Sequence, residues 1–290
     1  MERPPLLIAD VPWLLYRSYF GLPKSIRGAD GQPVNALLGT VNALLNASAA
    51  HPPRALAACF GAEQARYRVE LYPPYHAHRD PMPAELAEQW KLAPALLARF
   101  GWTVFDAGEL EADDAMGSLA AAERRAGGRA LLLTADRDLH QAVDASVSVL
   151  ELKGETATLL GPAQVRERVG VDPARVPDLI ALRGDPSDGL PGARGVGAKT
   201  AVALLHDHGS LEGVLAAAAA DDPRISARIA RTLRESEREL RDFKQIATLV
   251  TVDLHRPADR AADHVAGAAA VRELGMRRLA ERLERLAAAA

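Results

Sequence analysis

The sequence carries a single cysteine, Cys59, so an internal disulfide framework is excluded and a reducing compartment suits it. Aromatic residues make up only 4% of the 290 residues, which leaves most of the core to Leu, Val and Ala. No apolar run reaches membrane-span length, and the opening MERPPLLIADVPW holds too short an apolar stretch for a signal peptide. The expectation is a soluble cytoplasmic protein with no membrane partner. A basic excess is missing too: the formal net charge is −3. That argues against a uniformly basic nucleic-acid coat, but clustered acids can hide a basic surface elsewhere.

What is present is ordinary for a globular chain, with 48% hydrophobic and 25% charged residues. The length allows one good core and a second, smaller lobe. PPLLIADV (4–11), RALAACF (54–60), residues 102–105, ALLLTA (130–135) and SVSVLEL (146–152) read as strands. Helical spacing appears at 34–49, 84–100 and 109–128. Strands alternating with helices predict an α/β fold with a mainly parallel sheet flanked by helices. From about residue 162 the pattern turns helical: 162–169, 174–183, 198–207, 210–218 and a long stretch over 223–248. Residues 62–83 mix Arg, Tyr and His with four prolines and read as an exposed segment that touches nucleic acid.

The acids fall where strands end. Asp10 closes the first strand, Glu111, Asp113 and Asp114 open a helix, Asp136 and Asp138 follow ALLLTA, and Asp185 and Asp188 follow helix 174–183. Ligand sites of open α/β sheets gather at such strand ends. Each acid has a bland reading, as helix cap or solvated turn. Together on one rim they would repel unless cations neutralise them, and an oxygen-only set suits Mg²⁺ or Mn²⁺ rather than zinc. Two such ions can activate a water and stabilise the leaving oxygen of a phosphodiester.

The stretch RGDPSDGLPGARGVGAKTA (183–201) suggests a phosphate-holding loop. A Walker loop is excluded because Ala193 and Ala198 occupy its glycine positions, so no nucleotide cofactor is expected. Gly195 and Gly197 instead allow a tight turn before a helix carrying Lys199 and Thr200, a hairpin able to grip a phosphodiester backbone. An ordinary interhelical turn is the alternative. Arginines at 224, 228, 231, 234, 238 and 241 recur at helical spacing, with Glu235, Glu237 and Glu239 between them. They read as a duplex-holding face or as a salt-bridged solvated one.

YRSYFGLP with GQPVNALLGT, RVELYPPYHAHR, ELEADD, TADRDLHQAV and LRGDPSDGLPGARGVGAKTA, in that order, resemble the 5′-nuclease or flap-endonuclease family in its bacterial 5′–3′ exonuclease branch. The likeness runs from Leu6 to His255, and with no polymerase region following, the chain resembles the stand-alone form. The resemblance implies a PIN-like core over 1–170 with an arch region at 62–92. It also implies a helical lobe over 171–290 bearing a helix–three-turn–helix DNA clamp near 183–207. It assigns one metal to Asp10, Glu111 and Asp113 and another to Asp136, Asp138 and Asp185, with Asp114 and Asp188 in support. Arg79 and His76 would face the scissile phosphate. Arg17, Arg68, Gly195, Gly197, Lys199, Thr200 and Arg228 would bind DNA, with K⁺ at the hairpin. The implied partner is DNA with a 5′ flap or 5′ end at a duplex junction, engaged by a monomer.

The sequence also departs from that pattern. Gly61 stands where the family has a metal-site aspartate, and His76 where it has a lysine. Val11, Ala135 and Gly189 replace residues that the family prefers as Gly, Gly and Asn. Weakened activity or a preference for Mn²⁺ is therefore expected. A catalytically impaired binder of branched DNA is the main rival; a PIN-type ribonuclease and a small-molecule phosphoesterase are others. The tail 256–290 reads as a short helix whose apolar face docks on the core or on a partner.

Overall fold

A computed structural model describes residues 3–153 and 156–289. Six strands form one sheet in the order β3-β2-β1-β4-β5-β6. They are β1 (Leu6–Asp10), β2 (Ala55–Phe60), β3 (Thr103–Asp106), β4 (Ala130–Leu133), β5 (Val147–Lys153) and β6 (Thr156–Leu160). The first five in chain order run parallel, and β6, which the sequence reading does not contain, returns antiparallel along β5.

Both faces of a parallel sheet must be covered, which is why β1 and β2 read as unbroken apolar runs. Alternate residues serve the two sides. Leu7, Ala9, Leu56, Ala58, Leu131 and Leu133 join one buried cluster with α1 (Val11–Gly21), α2 (Asn35–Ala50) and α4 (Ala84–Arg99). Leu6, Ile8, Ala55, Ala57, Ala130 and Leu132 join another with α5 (Ala112–Arg125). Between α2 and α4 the short α3 (Arg66–Leu71) lies in the segment expected to be exposed.

After α6 (Pro162–Val169) the chain builds a third cluster from α7 (Val176–Arg183), α8 (Ala198–His208), α9 (Leu211–Ala219), α10 (Ala227–Glu235) and α11 (Glu237–Ala247). The stretch 223–248 is thus two helices, broken at Ser236. An extended segment then carries the chain back to the sheet. The tail is a pair of helices, α12 (His264–Glu273) and α13 (Arg277–Ala288), turning at Gly275 with φ +82°. Val271, Met276, Leu279 and Leu283 bury their side chains in the first cluster with α1 and α2, so the tail docks on the core of this chain.

Strand order reverses between β1 and β4, and the carboxyl ends of those two strands frame a crevice. The acids after β1 and β4 meet there.

Candidate active site

The crevice opens into a cleft of about 1160 Å³. Asp10, Glu111, Asp113, Asp136, Asp185 and Asp188 line it, so four separate stretches of chain deliver acids to one wall. Asp114 and Asp138 do not line the cleft and are buried behind that wall.

Local structure aims each acid. Asp10 ends β1 and caps α1, accepting from Trp13 N–H at 3.0 Å, while its other oxygen accepts from Thr134 Oγ1 at 2.8 Å. Asp136 accepts from Asp138 N–H at 2.9 Å. Asp185 accepts from Ser187 N–H at 2.8 Å within the turn that carries Asp188. Glu111 accepts from Ala65 N–H at 2.8 Å and from Tyr75 Oη at 3.2 Å. Asp114 accepts from Glu111 N–H at 3.2 Å and from Val250 N–H at 2.7 Å, so this helix start is capped, with Glu111 at the N-cap and Asp114 bonding back to its amide.

Crowding shows in the protonation equilibria. Burial raises the Asp10 carboxyl above the usual range despite its hydrogen bonds. Burial, then the neighbouring acids, also raise Asp138. Asp136 stands exposed on the cleft lining. Desolvation by the surrounding protein, ahead of repulsion from Asp188, Asp10 and Glu111, pushes it up to about 7. Asp113 is raised by burial first, with Arg68 opposing. Such a wall gains by taking up positive charge.

Arg68 is a correction to the sequence reading. Expected on DNA, it is 2% exposed and reaches Glu111 Oε2 at 2.9 Å and Asp114 Oδ1 at 3.0 Å. A solvated arginine face cannot be distinguished in sequence from one committed to acids 43 to 46 positions away. Tyr75 and His76 are buried as well, so residues 62–83 are not simply an exposed segment. His76 Nε2 lies 3.1 Å from Asp188 Oδ1, and half-exposed Arg79 reaches the same oxygen at 3.1 Å. Both His76 and Arg79 line the cleft. Arg17 is half-buried, its guanidinium 5.8 Å from the centre of the Trp13 ring.

Among the described residues, no three Asp, Glu, His or Cys side chains close into a ready-made cage around one ion. Glu111, Asp113 and Asp114 each also pair with Arg68.

Sequence reasoning missed the aromatic part of the lining. Trp13, Tyr16, Phe20 and Trp90 line the cleft, with Tyr16 stacked near Phe20 at 6.3 Å and edge-on to Trp90 at 6.2 Å. Phe20 is 67% exposed. The signal was available in WLLYRSYF, three of whose four aromatics, Trp13, Tyr16 and Phe20, sit at i, i+3 and i+7 on one helix face. Thr134 was missed as well.

At the hairpin, Gly195 has φ +84°, a conformation few side chains adopt. Gly197 caps α8, and Lys199 is exposed in its first turn beside half-buried Thr200. Exposed Arg228 lies next to Gly195. The arginine stripe is mostly committed: Arg224 to Asp222, Arg231 to Glu235, Arg234 to Asp221, and Arg241 to Glu212 and Glu237.

Residues 5–170 match the family described as 5′-3′ exonuclease, N-terminal resolvase-like domain, and residues 171–265 match its C-terminal SAM fold. The chain belongs to the 5′–3′ exonuclease family. A 5′-3′ exonuclease of Mycobacterium tuberculosis is 39% identical over 289 residues, covering 89% of this chain and 88% of that one. One from Streptomyces coelicolor is also 39% identical, over 260 residues and 84% of each chain. In fold, the chain is similar to the bacteriophage T5 D15 flap endonuclease in complex with DNA and metal ions. That likeness has a TM-score of 0.69 and 20% identity, covering 98% of this chain and 99% of that one.

Within this chain, Gly61 is held tightly. Ala62 N–H donates to Leu110 O at 2.8 Å, and a Cβ on Gly61 would meet Leu110 O at 2.5 Å and Ala112 N at 2.7 Å. The backbone that leads into Glu111 fills the space a side chain at 61 would need.

Proposed function

We propose that the chain hydrolyses DNA phosphodiesters at 5′ flaps or 5′ ends at duplex junctions, as a metal-dependent nuclease acting in replication or repair. The observation that carries the reading is the convergence of six carboxylates from four stretches of chain on one cleft. Their donors are all hard oxygens, they crowd one another, and the wall is open to solvent, which fits hard divalent ions such as Mg²⁺ or Mn²⁺. Two ions would be held, one by Asp10, Glu111 and Asp113 and one by Asp136 and Asp185, with Asp138 and Asp188 behind or beside them. When bound, they supply a water of lowered pKa and stabilise the leaving oxygen.

The chain's own residues do the rest. Thr134 and Trp13 N–H fix the two oxygens of Asp10. Arg79, tethered to Asp188, presents a guanidinium at the cleft mouth where a phosphate would enter. Trp13, Tyr16 and Phe20 offer stacking surface to an unpaired nucleotide. The turn at Gly195–Gly197, with free amides at the start of α8 and with Lys199 and Arg228 beside it, would hold the duplex backbone. K⁺ at that hairpin completes the reading. A single chain is the acting unit in this reading.

Cleavage of a 5′-labelled flap duplex with Mg²⁺, Mn²⁺ or EDTA, alongside Asp136→Ala, tests the proposal. Metal-dependent cuts near the junction that vanish in the variant are expected. Tight flap binding without cleavage in either metal would leave the impaired branched-DNA binder, the reading that Gly61 favours.

A further inference from the structure

Arg68 is among the largest side chains buried completely, and it is charged. It comes from α3, yet its guanidinium faces the start of α5. Nη1 lies 2.9 Å from Glu111 Oε2, and Nη2 lies 3.0 Å from Asp114 Oδ1 and 3.5 Å from Asp113 Oδ2. Its Nε donates to Tyr67 Oη at 3.0 Å. A buried guanidinium is costly unless paired, and here it is paired three times. Glu111 and Asp113 therefore look two ways: toward the cleft that they line and toward Arg68. One positive charge against three carboxylates leaves two negative charges for the cleft to neutralise.

We infer that Arg68 is the internal counter-cation of this acid cluster, a positioning residue that competes with a divalent ion for the charge of Glu111 and Asp113. It aims those two carboxylates and ties the segment carrying His76 and Arg79 to α5. The inference rests on the metal-nuclease reading above and deepens it.

Two effects of opposite sign follow from removing the charge. Without Arg68 the three acids attract a divalent ion more strongly, so metal binding tightens. The same change frees the aim of Glu111 and Asp113 and slackens the tether to His76 and Arg79, so turnover falls. A residue that merely filled space would weaken both.

The test uses the full chain as wild type, Arg68→Gln and Arg68→Lys. Mn²⁺ binding is read without DNA from the rise of the thermal unfolding midpoint with Mn²⁺ concentration, and turnover from a 5′-flap duplex at saturating Mn²⁺. Arg68→Gln is expected to bind Mn²⁺ about tenfold more tightly. Its kcat is expected to fall about a hundredfold or more, with KM changed less. Arg68→Lys keeps the charge but loses the fork, so its Mn²⁺ affinity stays within about threefold of wild type while kcat falls. If Arg68→Gln is unfolded without metal, millimolar Mn²⁺ is expected to restore folding. Unchanged or weaker Mn²⁺ binding by Arg68→Gln, or no rescue of an unfolded variant, would overturn the inference. A wild type whose midpoint ignores Mn²⁺ would overturn the metal reading itself, before any variant is compared.

Discussion

Thr134 Oγ1 donates to Asp10 Oδ2 at 2.8 Å, and the same hydroxyl accepts from Asp136 N–H at 3.0 Å. Thr134 is fully buried, so one hydroxyl spans the crevice between β1 and β4 and fixes an acid on each side. Replacing it with Val keeps the shape and removes both bonds. The expected cost is about 1–3 kcal/mol of stability, because Asp10 and the Asp136 amide each lose a buried partner. Turnover on a flap duplex should fall at least about tenfold, since misplacing a reacting carboxylate costs more than its hydrogen bond. Thr134→Ser restores the hydroxyl and should recover most of the rate. Thermal unfolding and single-turnover cleavage of the two variants check this; equal rates would remove Thr134 from the machinery.

Gly61 makes a second case. Restoring the aspartate that the resemblance places there is an obvious repair, yet the backbone at Leu110 and Ala112 stands in the way of any Cβ. Overpacking of that kind costs about 1–3 kcal/mol. Gly61→Asp is therefore expected to lower the unfolding midpoint and to leave cleavage in Mg²⁺ no faster than wild type. A gain in Mg²⁺-dependent rate would mean that the 110–112 backbone yields to the new side chain.

The sheet was legible because its signals are local. LLIAD and ALAACF are near-continuous apolar runs, Asp10 closes a strand, and Glu111, Asp113 and Asp114 open a helix. The helix over 11–21 was not read, because it starts with no linker after the strand, Pro12 sits in its first turn, and Asp10 has two jobs, cap and cleft acid. Arg68 was misplaced because composition describes a segment's average surface and says nothing of a partner 43 residues away. The salt-bridged alternative for the arginine stripe was visible in the i,i+4 pairs Arg231–Glu235 and Glu237–Arg241. The return of 256–290 to the first cluster depends on tertiary packing alone.

His76 and Asp188 form a third test. His76 sits at φ +56°, donates its backbone N–H to Asp188 O at 3.1 Å and stacks on Tyr75 at 3.8 Å. Its Nδ1 is buried with no partner. His76→Lys places a fixed charge beside Asp188 and the cleft. Faster cleavage at pH 8, by about threefold or more, is expected from the added phosphate-facing charge. His76→Gln, which adds none, should not show it. A slower His76→Lys would assign the histidine to packing rather than to charge.

Glu123 supplies the acid limit of stability. It is fully buried at the end of α5, bonded by Arg54 and, at 2.7 Å, by Arg256, while Arg54 also reaches Pro257 O at 2.8 Å. This network straps the extended segment that returns from the helical lobe to the sheet. Burial alone would raise the Glu123 carboxyl, but the hydrogen bonds and charges of the two arginines hold it below its ordinary value of 4.5. A depressed folded value means that the unfolded chain takes the proton first. The contribution is therefore fully present above about pH 5 and is lost as pH falls through the folded value. Asp10 and Asp138 are shifted the opposite way, so the wild-type profile alone mixes signs. The difference from Glu123→Gln isolates the effect. That variant should lose about 1–3 kcal/mol at pH 7, where buried Arg54 keeps only Asp259 as an acid partner and half-buried Arg256 loses its acid, and the gap should narrow steadily between pH 5 and 3. Chemical denaturation across that range measures the gap; one that stayed constant with pH would show that Glu123 is not the titrating anchor of the strap.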